Sequence, residues 1–241
     1  MNLLGDAFNI ILYQPLLNVL VLLYEYLPGH DFGIAVIVLT VLIRLILYPL
    51  MAQSIKSQKA MSGLQPKIQE IQKKFKDDRE KQTKEMIELY RKEKINPFGG
   101  FLPLLIQLPV LIALYRVFWR GFQPEEMASL YSFIPHPGGI NPTFLGLVNL
   151  SQASIFLAIL AGITQFFQSR TMTPKTQEPK QKDQMAQFSK IIQKQMLYFF
   201  PIFTVFILLK LPAAIAIYWI VTSLFSIVQQ CNISKNHAKS K

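Results

Sequence analysis

A single arginine interrupts an apolar stretch that is otherwise fit to cross a bilayer. Residues 34–51 read IAVIVLTVLIRLILYPLM, where Arg44 is the one charge and Thr40 and Tyr48 are the one hydroxyl pair. A spanning helix needs about 20 apolar residues. About ten residues, roughly 15 Å of helix, separate Arg44 from either end of such a span, and snorkelling covers only part of that distance. An intramembrane guanidinium costs about 2.5–3.5 kcal/mol on insertion scales, so something must compensate it. None of the other apolar blocks holds an Asp or Glu to pair with it. A water-filled cavity is therefore expected around Arg44; the plainer alternative is a structural arginine bonded to backbone carbonyls or lipid phosphate.

The chain has 241 residues, is 51% hydrophobic, and yet carries a formal net charge of +11. Its apolar residues come in long blocks rather than in short periodic patterns, which excludes an ordinary soluble domain. Five blocks are expected to span: 32–54, 98–119, 153–169, 196–211 and 213–230. Prolines recur in or beside them (Pro49, Pro103, Pro109, Pro201, Pro212), as spanning helices tolerate when neighbours satisfy the freed carbonyls. The charges partition by side. Residues 55–97 hold twelve Lys/Arg against seven Asp/Glu, residues 170–195 six against two, and the tail after 230 three against none. Residues 1–31 hold no Lys/Arg and three acids, and residues 120–150 one arginine and two acids. Basic loops stay cytoplasmic, so the expected C-terminus is cytoplasmic. The positive charge is then a membrane-protein face; no aromatic-basic motif accompanies it, and no specific nucleic-acid binding is expected.

Residues 8–27 are apolar but interrupted by Gln14, Asn18 and Glu25, spaced to form one narrow polar stripe on a helix. There is no basic start or small-residue cleavage site of a signal peptide. An amphipathic helix at the outer interface is expected, with a sixth span as the alternative. Residues 56–94 switch to a charged helical pattern: Met61, Leu64, Ile68, Ile71 and Phe75 step by three and four, a charged turn follows at Lys76–Arg79, and Met86, Leu89 and Tyr90 mark a second apolar side. This spacing predicts an antiparallel hairpin in which Pro66 bends the first helix. It is either a solvated spacer or a docking arm. Gln107 lies in a span with two prolines and a glycine pair at its start; it either glues helices together or lines a wet groove. Cys231 is the single cysteine, and the three histidines are scattered in loops. With no P-loop, GxGxxG or HExxH motif, neither metal, cofactor nor bond-making enzyme chemistry is expected.

Several long segments carry a resemblance. NPFGGFLPLLIQLPVLIALY (96–115), LQPKIQEIQKKFKDD (64–78), EMIELYRKEK (85–94), TVLIRLILYPL (40–50) and FFPIFTVFILLKLPAAIAIYWIVTSLFSIVQQ (199–230) resemble the YidC/Oxa/Alb family of membrane-protein insertases, in its bacterial YidC branch, over nearly the whole chain. The resemblance implies an all-α polytopic membrane protein with a five-helix core around a hydrophilic groove that opens to the cytoplasm and to lipid. Arg44 matches the groove arginine. Thr40, Gln165, Tyr218 and Trp219 fall at positions where the family has groove or substrate-contact residues, and Gln107 joins them from its place in the second span. The expected organisation is an N-terminal interfacial helix (1–31), a first span (32–55), a cytoplasmic hairpin (56–94), a second span (96–120), an extracytoplasmic loop (121–152), a third span (153–170), a cytoplasmic loop (171–194), fourth and fifth spans (195–211 and 212–231) and a short basic tail (232–241). The implied partners are nascent membrane proteins, the ribosome, the Sec translocon and the lipid bilayer, at a bacterial inner membrane. Against the family's long form, neither the large outer domain nor the extra N-terminal span is expected, nor the lipoprotein signal of many Gram-positive forms. Its tail has only Lys235, Lys239 and Lys241, which weakens the expectation of tail-mediated ribosome binding. The expected activity is insertion without nucleotide: acidic client tails are drawn toward Arg44, and hydrophobic transfer of the client helix drives release into lipid. An anion channel or small-solute transporter is the alternative, and a structural assembly factor a third.

Overall fold

The computed structural model describes residues 3–96, 99, 102–120, 123–172 and 197–239. The expected cytoplasmic loop lies outside the described residues after Met172. The chain divides into two compact units, Met1–Ile46 with Gln107–Val228, and Leu47–Ile106 with Gln229–Lys241.

The first unit begins with α1 (Leu3–Phe8), a π-helical segment (Asn9–Tyr13) and α2 (Gln14–Tyr26), which follow one another without a break. Leu17, Leu20, Val21 and Tyr24 recur at helical spacing and are buried, where α2 packs on α3 (Phe32–Ile46). Asp31 starts α3: its Oδ1 accepts from the Ile34 amide at 2.9 Å, the capping arrangement that satisfies a first-turn donor. Its Oδ2 accepts from the Leu145 amide, tying this helix start to the turn around Leu145. α7 (Leu102–Arg120) contributes Val110, Ala113, Leu114, Val117 and Phe118 to the core of this unit, with Phe118 edge-on to Phe32. The loop after it holds a short helix, α8 (Pro124–Met127), and a two-stranded antiparallel hairpin of β1 (Thr143–Phe144) and β2 (Val148–Asn149), with Thr143 opposite Asn149.

The polar stripe of the N-terminal helix is put to a use that the sequence did not suggest. Asn18 is buried; its Nδ2 donates to the Gln14 and Ser129 carbonyls, and its Oδ1 accepts from the Tyr131 amide at 2.6 Å. Gln14 also donates to the Ser129 carbonyl. Gln14 and Asn18 thus hold the loop that follows α7. The helix Gly5–Tyr26 is long and apolar enough to cross a membrane.

α9 (Ile155–Met172) and α10 (Leu197–Leu208) pack closely through small residues. Ala158 and Ala161 are fully buried. A Cβ on Gly162 would lie 2.4 Å from Val205 Cγ2 and 3.2 Å from the Pro201 carbonyl, so only glycine permits this approach. On α9, Phe156, Ile159, Ile163 and Phe167 step by three and four and are exposed, an apolar stripe suited to lipid. α11 (Ala213–Lys239) opens with its Ala213 and Ala214 amides donating to the Gln152 and Leu150 carbonyls, which satisfies donors that a helix start leaves free.

The second unit contains α4 (Tyr48–Gly63), α5 (Gln65–Lys74) and α6 (Arg79–Lys92). The single first span expected over 32–55 is therefore divided, since α3 ends at Ile46 and α4 starts at Tyr48. Pro49 explains the position: it has no amide to donate to the Leu45 carbonyl, and it fits the first turn of a new helix. Pro66 likewise starts α5 instead of bending a longer helix, and the expected seam from Met61 to Phe75 is interrupted at Leu64. α5 and α6 contact each other. Gln82 Nε2 donates to the Gln72 carbonyl, and Lys67 pairs with Glu93 at 2.5 Å. Asp78 caps α6 by accepting from the Lys81 amide at 3.0 Å; that bond, with the Lys81 ammonium, holds its carboxyl below its ordinary value. Gly99 permits close packing, because a Cβ there would meet Ser57 Oγ. Ser54 donates to the Gly99 carbonyl at 2.8 Å, and Gln229 Nε2 to the Tyr48 carbonyl at 3.0 Å. α11 stays helical to Lys239, through most of the expected tail.

The protein is thus a mostly helical membrane protein. By length and apolarity, Gly5–Tyr26 and Ala213–Lys235 qualify as spans among the described residues, and Phe32–Ile46 with Tyr48–Gly63 makes a third if the broken pair is counted as one.

Candidate functional site

Within the first unit, α3, α7 and α11 bring three of the six expected residues together. Arg44 Nη2 donates to Gln107 Oε1 at 3.3 Å, and Gln107 Nε2 donates to the Tyr218 hydroxyl. These residues are 63 and 111 positions apart in sequence. Arg44 is 5% exposed and Tyr218 1%. A guanidinium has five N–H donors, and Gln107 is its one hydrogen-bonding partner among the described residues. A neutral amide oxygen accepts a bond but cancels no charge. The site therefore holds an electropositive group in surroundings of low dielectric, where its attraction for an anion is strengthened.

Gln165 and Trp219 form a second pair. The Trp219 indole donates to Gln165 Oε1 at 3.0 Å, joining α9 to α11. Tyr218 and Trp219 are consecutive and so diverge by about 100° around the helix, which explains why one reaches α7 and the other α9. Thr40 is buried, but its hydroxyl donates to its own helix at the Val36 carbonyl, 2.6 Å away. The structure does not link Thr40 by a hydrogen bond to the other five residues.

Two features escaped the sequence reading. On α11, Thr222 and Ser226 follow Tyr218 at four-residue steps and are buried, extending its polar face by two turns. The Ser223 hydroxyl, beside that face, has no partner among the described residues. A buried hydroxyl without a partner costs roughly 1–3 kcal/mol, so the Ser223 hydroxyl favours a water beside this face. The four-residue period was visible in the sequence. The other feature is Arg116, a second cation inside an apolar block. It donates to Asn9 Oδ1 at 2.8 Å, and its guanidinium lies 4.6 Å from the Tyr13 ring centre and 5.8 Å from that of Phe8. Tyr13 in turn donates to Glu126 at 2.7 Å. Unlike Arg44, Arg116 is enclosed by an acceptor and two ring faces. This is a structural clamp between α7 and the N-terminal helix.

Comparison with known proteins gives a family. Residues 22–240 match the model of the family described as 60Kd inner membrane protein. The chain is 34% identical over 230 residues to the membrane protein insertase YidC of Geobacter metallireducens, covering 95% of this chain and 38% of that protein. It is 33% identical over 241 residues to the protein of the same name from Geobacter sulfurreducens, covering 98% and 40%, and 32% identical to that of Geotalea daltonii, covering 93% and 37%. The chain spans about two fifths of the length of the curated relatives it matches.

Proposed function

Because the chain belongs to the 60Kd inner membrane protein family, we propose that it works as a membrane protein insertase and chaperone in the bacterial inner membrane. The observation that carries the mechanism is the buried Arg44, held by neutral Gln107, which Tyr218 holds in turn, instead of by a carboxylate. A carboxylate partner would neutralise the guanidinium. A glutamine fixes its position and leaves its charge available.

The steps follow from that arrangement. The hydrophilic tail of a client enters from the cytoplasmic side along the polar face of α11 at Ser226 and Thr222. Its acidic groups are attracted to Arg44. The client's apolar helix meanwhile lies along exposed apolar side chains and transfers into lipid, which supplies the driving force. Gln165 and Trp219 brace α9 against α11 beside this path. The five-span core, the hydrophilic groove and the cytoplasmic C-terminus belong to this proposal. So do nascent membrane proteins, the ribosome and the Sec translocon as partners.

The test is reconstitution of the purified chain into liposomes with one short single-span client and no other protein. Protease protection of the client's tail is the expected result. Unprotected tails, with passage of chloride or small solutes through the same liposomes, would favour a channel and remove the insertase assignment.

A further inference from the structure

A cavity of about 490 Å³ opens where α9 and α11 meet in the first unit, lined by Thr164, Phe167, Arg170, Thr171, Leu224 and Ile227. That volume falls in the range of small-ligand sites, about 300–1,000 Å³. The cavity has a polarity axis. Thr164 is buried at one end, Arg170 is exposed at the other, and Phe167, Leu224 and Ile227 form apolar walls between them. Six residues separate Thr164 from Arg170, about 9 Å along the helix. Both threonine hydroxyls spend their protons within α9, on the Ala161 and Gln168 carbonyls. Arg170 is therefore the donor left for a ligand, and it has no ion pair or hydrogen bond among the described residues.

We propose that this cleft binds an anionic phospholipid, with an acyl chain along Phe167, Leu224 and Ile227 and the phosphate on Arg170. The walls match a hydrocarbon chain, and an arginine at the rim matches a phosphodiester in geometry and charge. The charge pattern selects a net-anionic headgroup over a zwitterionic one. Neither α9 nor α11 contains an Asp or Glu, so among the described residues of these two helices the ammonium of a zwitterionic lipid would find no carboxylate. This site differs from the Arg44 cluster in residues and ligand, and it does not depend on the insertase assignment.

The experiment is native mass spectrometry of the full chain in neutral detergent, with equal amounts of phosphatidylglycerol and phosphatidylcholine of the same acyl chains. One cation near a headgroup favours the anionic lipid by about fivefold. Arg170→Gln should bring that preference close to parity, and Leu224→Trp, which fills the cleft, should reduce binding of both lipids. Arg79→Gln, which removes an equal charge from the hairpin, should leave the preference as it was. Equal binding of the two lipids by the unaltered protein, or a preference that survives Arg170→Gln, would overturn the proposal. So would occupation by a client: photo-crosslinking from position 224 to a neutral leucine-rich single-span peptide, undiminished by excess phosphatidylglycerol.

Discussion

Replacing Arg44 by alanine separates the two roles a buried cation can have. In the folded protein the substitution removes one 3.3 Å hydrogen bond to Gln107. A bond to a charged group contributes roughly 1.5–3 kcal/mol. It also relieves the cost of holding a charge at that depth, about 2.5–3.5 kcal/mol on insertion scales. Gln107 keeps its bond to Tyr218. These terms nearly cancel, so Arg44→Ala should change stability by no more than about 1–2 kcal/mol. For a client the balance differs. A carboxylate about 4 Å from the guanidinium gains about 4 kcal/mol at an effective dielectric near 20, and dehydration offsets part of it. A net loss of about 1.5–3 kcal/mol means insertion of acidic-tailed clients slows roughly tenfold to a hundredfold. A client with a neutral tail should be much less affected. Arg44→Lys should retain much of the activity, since the role assigned is charge and not a two-pronged contact. The assay is the rate of tail protection in proteoliposomes, with acidic and neutral tails run in parallel, beside a thermal melt of each variant. Normal insertion of the acidic tail by Arg44→Ala would refute the electrostatic step; an equal loss for both tails, with a melt far below that of the unaltered protein, would make Arg44 structural.

Other perturbations test the fold around the site. Asn18→Ala leaves the half-buried Tyr131 amide without its acceptor, so stability should fall by about 1 kcal/mol and hydrogen exchange at Tyr131 should rise roughly tenfold. Gly162→Ala drives a methyl group into Val205 and should cost about 1–3 kcal/mol by overpacking; the second change Val205→Ala should restore most of it in a thermal melt. The hairpin 56–94 should exchange its amides faster than the helices of the first unit, because α6 buries no residue; uniform protection would contradict this. Asp78 has a folded-state value below its unfolded one, so its cap contributes fully above the ordinary carboxylate range, near 3.9, and is lost as pH falls through the depressed value. Protection of the first-turn amides of α6 should follow that course and lose its acid dependence in Asp78→Ala.

The sequence alone determined the solvent and the polar outliers. Long apolar blocks mean helices in a bilayer, because backbone groups there must be satisfied within the segment. Arg44 and Gln107 stood out because each is costly in an apolar block. The hairpin, too, was legible as a charged helical pattern around a polar turn. Helix boundaries were less so. Pro49 and Pro66 fit either a bent helix or the first turn of a new one, and the local sequence is the same for both; the structure starts α4 and α5 there. Partners were not legible at all. Periodicity shows that Gln14 and Asn18 share a face, but only packing supplies Ser129 and Tyr131 as the groups they bind. Likewise Gln107 reaches Arg44 across 63 positions and Tyr218 across 111, while Thr40, one turn from Arg44, turns its proton to its own helix. A side chain's need for a partner is a local property of the chain. Which partner meets it depends on how distant helices pack, and that is a property of the tertiary structure alone.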